Sequence, residues 1–187
     1  VFLLGQAGTG KTFVATKAAY QRLQTNQVER VVVSRPAVEC GGEKLGFLPG
    51  EMGNKMHVWL MPFVDVLRNI VGEFADRTLA QFDVVPLAFV RGRTFSNCVA
   101  ILDEAQNATV QQLRAFLTRI GHNGKIIVVG DPGQSDLLHG GDHLSMVAME
   151  MEKRGLAGVV RFPPCAVVRH PLIQGIEKLF TDMRAKK

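Results

Sequence analysis

The chain has 187 residues, 47% of them hydrophobic and 21% charged, with a formal net charge of +5 and a pI near 9.4. That length supports one domain with a substantial core and excludes two of ordinary size, and no apolar run approaches the ~20 residues needed to span a bilayer. Cys40, Cys98 and Cys165 are widely spaced, so they exclude a zinc or disulfide framework and point to a reducing cytosol, while the positive charge favours a polyanionic partner.

Residues 1–4, Val-Phe-Leu-Leu, form a strand-like run already under way at the first residue, as expected of an N-terminally truncated domain. They lead directly into GQAGTGKT at residues 5–12, which matches G-x-x-x-x-G-K-[ST]. In that pattern a loop between strand and helix turns successive backbone N–H groups toward the phosphates of a nucleoside triphosphate. Gly5, Gly8 and Gly10 let the main chain turn tightly and approach phosphate oxygens with no Cβ in the way, and Gln6, Ala7 and Thr9 complete the cradle. Lys11 supplies a cation for the β and γ phosphates, and the Thr12 hydroxyl suits coordination of Mg²⁺. Ala15, Ala19 and Leu23 recur every fourth residue and predict a helix whose positive N-terminus faces the same anion. Strand before and helix after separate this match from a glycine-rich turn of no function.

Residues 31–34, 87–90, 99–102, 126–129 and 159–162 are further apolar, β-branched runs. Strands apolar on both faces fit a mostly parallel sheet covered by helices on both sides, which predicts a layered α/β domain. Residues 35–56 show no regular pattern, and a long loop in a compact domain is more often functional than idle. The run at 99–102 ends in Asp103 and Glu104. Alone, the pair would be surface acids at a strand exit; with the phosphate loop upstream, Asp103 is assigned to the metal and Glu104 to the general base for water. Thr109 and Gln112 have capping-box spacing, ahead of a helix with Val110, Leu113, Leu117 and Ile120 inward.

The run at 126–129 ends in Gly130-Asp131-Pro132-Gly133-Gln134. Gln134 is a candidate to sense the γ phosphate or orient water, with Asp131 as its orienter; an ordinary Asp-Pro-Gly turn is the alternative. A helix is expected from Asp142 through Leu144, Val147, Ala148 and Met151 to a stop at Gly155. Another is expected from Pro171, with Leu172, Ile176, Leu179 and Met183 inward. Arg169, just before it, is either a surface arginine or a group that stabilises charge on the transferring phosphoryl, in its own subunit or a neighbour's. His139 and His143 are separated by Gly140-Gly141, which argues against one helix presenting both rings to a transition metal.

Several longer motifs now align. GQAGTGKT, SRP at 34–36, GEKLGFLPG at 42–50, RGRTF at 91–95, ILDEAQN at 101–107, FLTRIG at 116–121, GDPGQSDL at 130–137 and VVRHP at 167–171 together resemble the PhoH-like ATPases over nearly the whole chain. GEKLGFLPG and LDEAQN in this order are far more specific than the phosphate loop. The resemblance implies a cytoplasmic ATP-binding and ATP-hydrolysing protein that uses Mg²⁺, folded as a single RecA-like P-loop NTPase domain over residues 1–187. It implies that the strand ending at Gly130 lies between the phosphate-loop strand and the Asp103 strand, with Gln134 near the γ phosphate. It also implies that Gln106 links nucleotide state to a nucleic-acid path, and that Arg35, Arg91 and Arg93 are candidates for phosphate or backbone contact. Two departures stand out: Pro132-Gly133 and Ser135 replace bulkier residues around Gln134, and Ala166 stands where an acid that could hold Arg169 is expected.

Two classes of function follow. One is an ATPase that couples hydrolysis to RNA or single-stranded nucleic acid, as a homo-oligomer if Arg169 acts across a subunit interface. The other is a nucleotide-dependent regulatory module with little turnover, and in either case an upstream PIN-like nuclease domain is compatible with the family. No membrane association is expected. A GTPase would need N-K-x-D, and Asn54-Lys55-Met56-His57 lacks the Asp; a small-molecule kinase is disfavoured because Glu104 suits water activation.

Overall fold

The computed structural model describes residues 1–36, 52–135 and 142–166, together with 172, 175, 176 and 179. In chain order it contains β1 (Phe2–Leu4), α1 (Lys11–Gln24), β2 (Arg30–Ser34), α2 (Met52–Val71), α3 (Ala75–Leu79) and β3 (Phe82–Val84). Then follow β4 (Cys98–Leu102), α4 (Val110–Leu117), β5 (Lys125–Gly130), α5 (His143–Lys153) and β6 (Val159–Arg161). The six strands form one sheet in the order β3-β2-β4-β5-β1-β6, and every pairing is parallel.

Alternation along the strands divides the core into two layers. Val31, Val33, Val99, Ile101 and Val129 face α1 and α2, where Ala15, Ala19, Phe63 and Leu67 meet them. Val32, Ala100, Leu102 and Val128 face the other way, toward Leu113 and Phe116 of α4 and Leu144 and Ala148 of α5. The middles of the central strands are therefore apolar on both faces, and β4 is buried at every position.

Local signals set several boundaries. The Thr109 hydroxyl accepts from Gln112 N at 3.2 Å while Gln112 Oε1 accepts from Thr109 N at 2.8 Å, so the capping box forms at α4. Asp142 caps α5 through Ser145 N at 2.9 Å, and Gly155, at φ 67°, follows its end. Ala15, Ala19 and Leu23 are buried as the periodicity of α1 predicts.

Other expectations are corrected. Residues 87–90 are not a strand: after Pro86 the chain forms a 3-10 turn at Leu87–Phe89, and the edge strand is Phe82–Val84. Leu87 and Val90 are apolar because the turn folds them into the core, and Asp83 at the sheet edge interrupts the run that would have marked the true strand. In α4 Leu113 is buried and Leu117 packs partly buried against the core as expected, and Phe116 joins them by packing on Phe95 with ring centroids 5.2 Å apart, whereas Val110 and Ile120 are exposed. Leu172, Ile176 and Leu179 are exposed rather than inward; periodicity marks a face, but tertiary packing decides whether it is covered. Met183 lies outside the described residues. Helix α2 starts inside the stretch expected to be loop. Among the described residues no helix is long and apolar enough to cross a membrane.

Because the α4 box satisfies donors at both its ends, Thr109→Ala is expected to lower stability by about 1 kcal/mol in urea unfolding, and Thr109→Ser by only a few tenths.

Candidate functional site

Strand β5 pairs with β1 on one side and β4 on the other, so the carboxyl ends of the three strands open side by side. The loops leaving them bring Lys11, Thr12, Asp103, Glu104 and Gln134 around one cleft. After β1, Gly8 and Gly10 take the left-handed conformation at φ 79° and 84°, and Gly10 caps α1. A Cβ on Gly5 would lie 2.7 Å from Phe162 Cβ and 3.0 Å from Phe162 O, so the turn out of β1 packs against the chain after β6 as only glycine allows. Inside the loop, Thr9 Oγ1 donates to Gln6 O at 2.7 Å, and Lys11 Nζ donates to the carbonyls of Gly5 and Gln6 at 2.7 and 2.8 Å.

After β4, Asp103 is 1% exposed. Its Oδ2 accepts from Arg35 Nε at 3.1 Å and from Arg35 Nη2 at 2.5 Å, and its Oδ1 accepts from the Thr12 hydroxyl at 3.5 Å. Burial pushes the Asp103 carboxyl above its usual range, and the Arg35 guanidinium opposes that shift. Glu104 next to it is held in the left-handed region at φ 54° and ψ 37°.

After β5, Asp131 is 6% exposed and works as a strap: Oδ2 accepts from Ala7 N and Oδ1 from Gly133 N, both at 3.0 Å. The sequence suggested Asp131 as an orienter of Gln134; its carboxylate oxygens go to the phosphate loop and to its own turn. Gln106, 4% exposed, joins the second and third loops. Its Nε2 donates to Glu104 Oε2 at 2.6 Å, and its Oε1 accepts from Asp131 N at 3.1 Å. Ser135, one of the departures around Gln134, donates from its hydroxyl to Gln106 O at 3.1 Å.

Above these loops lies a cleft of about 550 Å³ whose lining includes Lys11, Thr12, Arg35, Asp103, Glu104 and Gln134. The Thr12 hydroxyl and Asp103 carboxylate offer adjacent hard oxygen donors beside the loop's N–H groups, a set that suits Mg²⁺ and a nucleotide's phosphates. Arg169, His139 and GEKLGFLPG lie outside the described residues. Arg91 lines a separate groove against α4.

One wall of the cleft was not anticipated. Met61, Pro62, Asp65, Val66 and Asn69 of α2 face the phosphate loop across it. The signal was present: Leu60, Phe63, Val64 and Leu67 are buried at helical spacing on the opposite side of α2, although Pro62 inside the helix weakens the pattern.

A parallel sheet with a phosphate loop after β1, an acid pair after β4 and β5 between them defines a P-loop NTPase with a RecA-like core. Within that class the chain belongs to the PhoH-like protein family, which matches residues 1–181. It is 41% identical over 181 residues to a PhoH-like protein of Bacillus subtilis, covering 94% of this chain and 56% of the relative. Identity is 42% over 184 residues with a PhoH-like protein of Synechocystis, covering 96% and 56%, and 40% over 180 residues with Protein PhoH of Escherichia coli, covering 93% and 51%. The chain thus spans about half the length of the curated relatives it matches. A solved structure, the flagellar accessory protein FlaH from Methanocaldococcus jannaschii, aligns with 86% of this chain and 69% of its own at 15% identity and a TM-score of 0.43.

Removing the Asp131 carboxylate would leave two backbone donors without their charged acceptor. Asp131→Ala is expected to lower the urea unfolding free energy by about 3 kcal/mol, and Asp131→Asn by less, because the amide keeps one acceptor oxygen.

Proposed function

We propose that this domain binds ATP with Mg²⁺ in the cleft over β1, β5 and β4, hydrolyses it in the cytoplasm, and couples turnover to RNA or single-stranded nucleic acid as the motor part of a longer protein. The observation that carries this reading is that Lys11, Thr12, Asp103, Glu104 and Gln134, from three separate loops, line one cleft. In this reading the backbone N–H groups of residues 5–12 hold the phosphates, and the Lys11 ammonium exchanges the carbonyls of Gly5 and Gln6 for the β and γ phosphate oxygens. Thr12 and Asp103 hold Mg²⁺, which when bound neutralises charge on the phosphate oxygens.

Glu104 accepts a proton from the water that attacks the γ phosphorus as the bond to the β-bridging oxygen breaks, giving ADP and phosphate. Gln106 grips Glu104 Oε2, which orients the carboxylate and assigns proton acceptance to Oε1. Gln134 orients the water or senses the γ phosphate. Arg169 stabilises the transferring phosphoryl from a neighbouring subunit, because a single RecA-like domain supplies one side of such a site.

The bond from Gln106 to Glu104 also favours a second reading, in which the carboxylate is held back and the domain is a nucleotide-dependent switch with little turnover. Steady-state hydrolysis with and without RNA separates the two: tight ATP binding with no turnover and no stimulation would favour the switch.

For hydrolysis, Glu104→Gln is expected to lower kcat by at least ~100-fold while nucleotide affinity is kept, and Lys11→Ala to lose both. Undiminished turnover in Glu104→Gln would overturn the base assignment. Mixing Lys11→Ala and Arg169→Ala subunits should restore part of the activity; mixed oligomers that remain inactive would remove the arginine in trans.

A further inference from the structure

Two adjoining depressions, of about 670 and 340 Å³, run between the 3-10 turn at Leu87–Phe89 and helix α4, and both are lined by Arg91, Gln111 and Ala115. Arg114 and Arg119 line the larger one, and neither depression shares a lining residue with the nucleotide cleft.

Charge in this groove is one-sided. Among the described residues no carboxylate lines it, and the only acids in residues 84–130 of the sequence are Asp103 and Glu104, both of which line the nucleotide cleft instead. Arg119 Nε is buried without a hydrogen-bond partner, while its Nη2 donates to Thr118 Oγ1 at 3.2 Å. Three guanidinium groups lining adjoining depressions, with no counter-ion among the described residues, repel one another and favour an anion with several charges. On the turn that forms the opposite wall, Leu87 and Val90 enter the core, but Phe89, two residues before Arg91 in the chain and next to Ala88 of the lining, keeps 65% of its surface exposed. An exposed aromatic ring on the turn at one wall, with arginines lining the groove, suits a strand that alternates phosphates with flat bases.

We propose that this groove binds single-stranded nucleic acid, with phosphodiesters on Arg91, Arg114 and Arg119 and a base stacked on Phe89. The inference rests on the nucleic-acid coupling proposed above and gives it a path. Helix α4 begins just after the 3-10 turn at Ala105–Asn107, which carries Gln106 and its bonds to Glu104 and Asp131. A strand that shifts α4 therefore acts on the segment that orients the proposed base.

The test is fluorescence anisotropy of labelled oligouridine and oligothymidine on the full-length protein over a salt series, with Arg91→Ala, Arg114→Ala, Phe89→Ala and, as a charge control on α3, Arg77→Ala. All four side chains are exposed, so the fold is expected to persist, and urea midpoints check this. Each groove arginine should reduce the slope of log affinity against log salt by about 0.7. Phe89→Ala should weaken binding at least ~5-fold with the slope unchanged. The two oligonucleotides report whether RNA or DNA is preferred. Slopes unchanged in both arginine variants, losses no larger than with Arg77→Ala, or equal displacement by polyglutamate, which would indicate an acidic protein partner, would each overturn the groove assignment. Strand binding that survives undiminished in every groove variant would overturn the groove alone, absence of any strand binding with ATP hydrolysis intact would overturn the groove together with the nucleic-acid coupling it rests on, and groove-dependent binding without hydrolysis would overturn only the ATPase reading.

Discussion

The position of β5 between β1 and β4 is the constraint on which the site depends. Parallel pairing sets Leu4 opposite Gly130, and Leu102 opposite Val128, so three loops leave the sheet at nearly the same height. Close packing then ties them together. A Cβ on Gly130 would lie 2.9 Å from Gln106 Oε1 and 3.1 Å from Gln106 N, and it would also meet Leu144. Glycine at that point lets the turn after β4 lie against the end of β5. Asp131 can then reach back to Ala7, and the phosphate loop is fixed by a residue that is far away in sequence and adjacent in space.

Electrostatics in the cleft follow from the same burial. Asp103 sits at the end of a strand buried at every position, where a lone carboxylate would be costly to ionise. Arg35, from the end of neighbouring β2, offsets that penalty with two hydrogen bonds to one oxygen, while the other oxygen faces Thr12. The two oxygens thus have different neighbours, one cationic and one a neutral hydroxyl. The SRP tripeptide gains a physical reason: Ser34 ends β2 beside Leu102, which places Arg35 next to the acid that follows.

The amino-acid sequence carried the parts of this arrangement that depend on local chemistry. The glycines of the phosphate loop, the Thr109 box, the acid pair after an apolar strand and the stop at Gly155 each need particular residue types at particular spacings. The legible part of the sheet was its buried centre, where both faces are apolar. What escaped was set by tertiary packing. Residues 87–90 are as apolar as a strand because a turn buries them, and the true edge strand carries Asp83. Helix α2 was obscured by Pro62 and by the irregular residues before it, so its contribution to the cleft, Asp65 and Asn69 among it, went unread. Arg35 was legible as a cation near phosphate, but its partner depends on strand order, which no local pattern encodes.

Gln106 holds two neighbours with the two ends of one amide, and those ends are not interchangeable. Its oxygen must face Asp131 N, which can only donate, and this leaves the NH₂ end for Glu104. The group is buried, so a departing Glu104 carboxylate would strand a donor away from water, at a penalty of roughly 1–3 kcal/mol. Rotating the amide to follow it would face the NH₂ group toward Asp131 N, donor against donor. The amide therefore acts as a detent: it makes small displacements of the Glu104 side chain unfavourable and couples any larger one to the end of β5, so that the acid and the strand it adjoins change position together or stay in place.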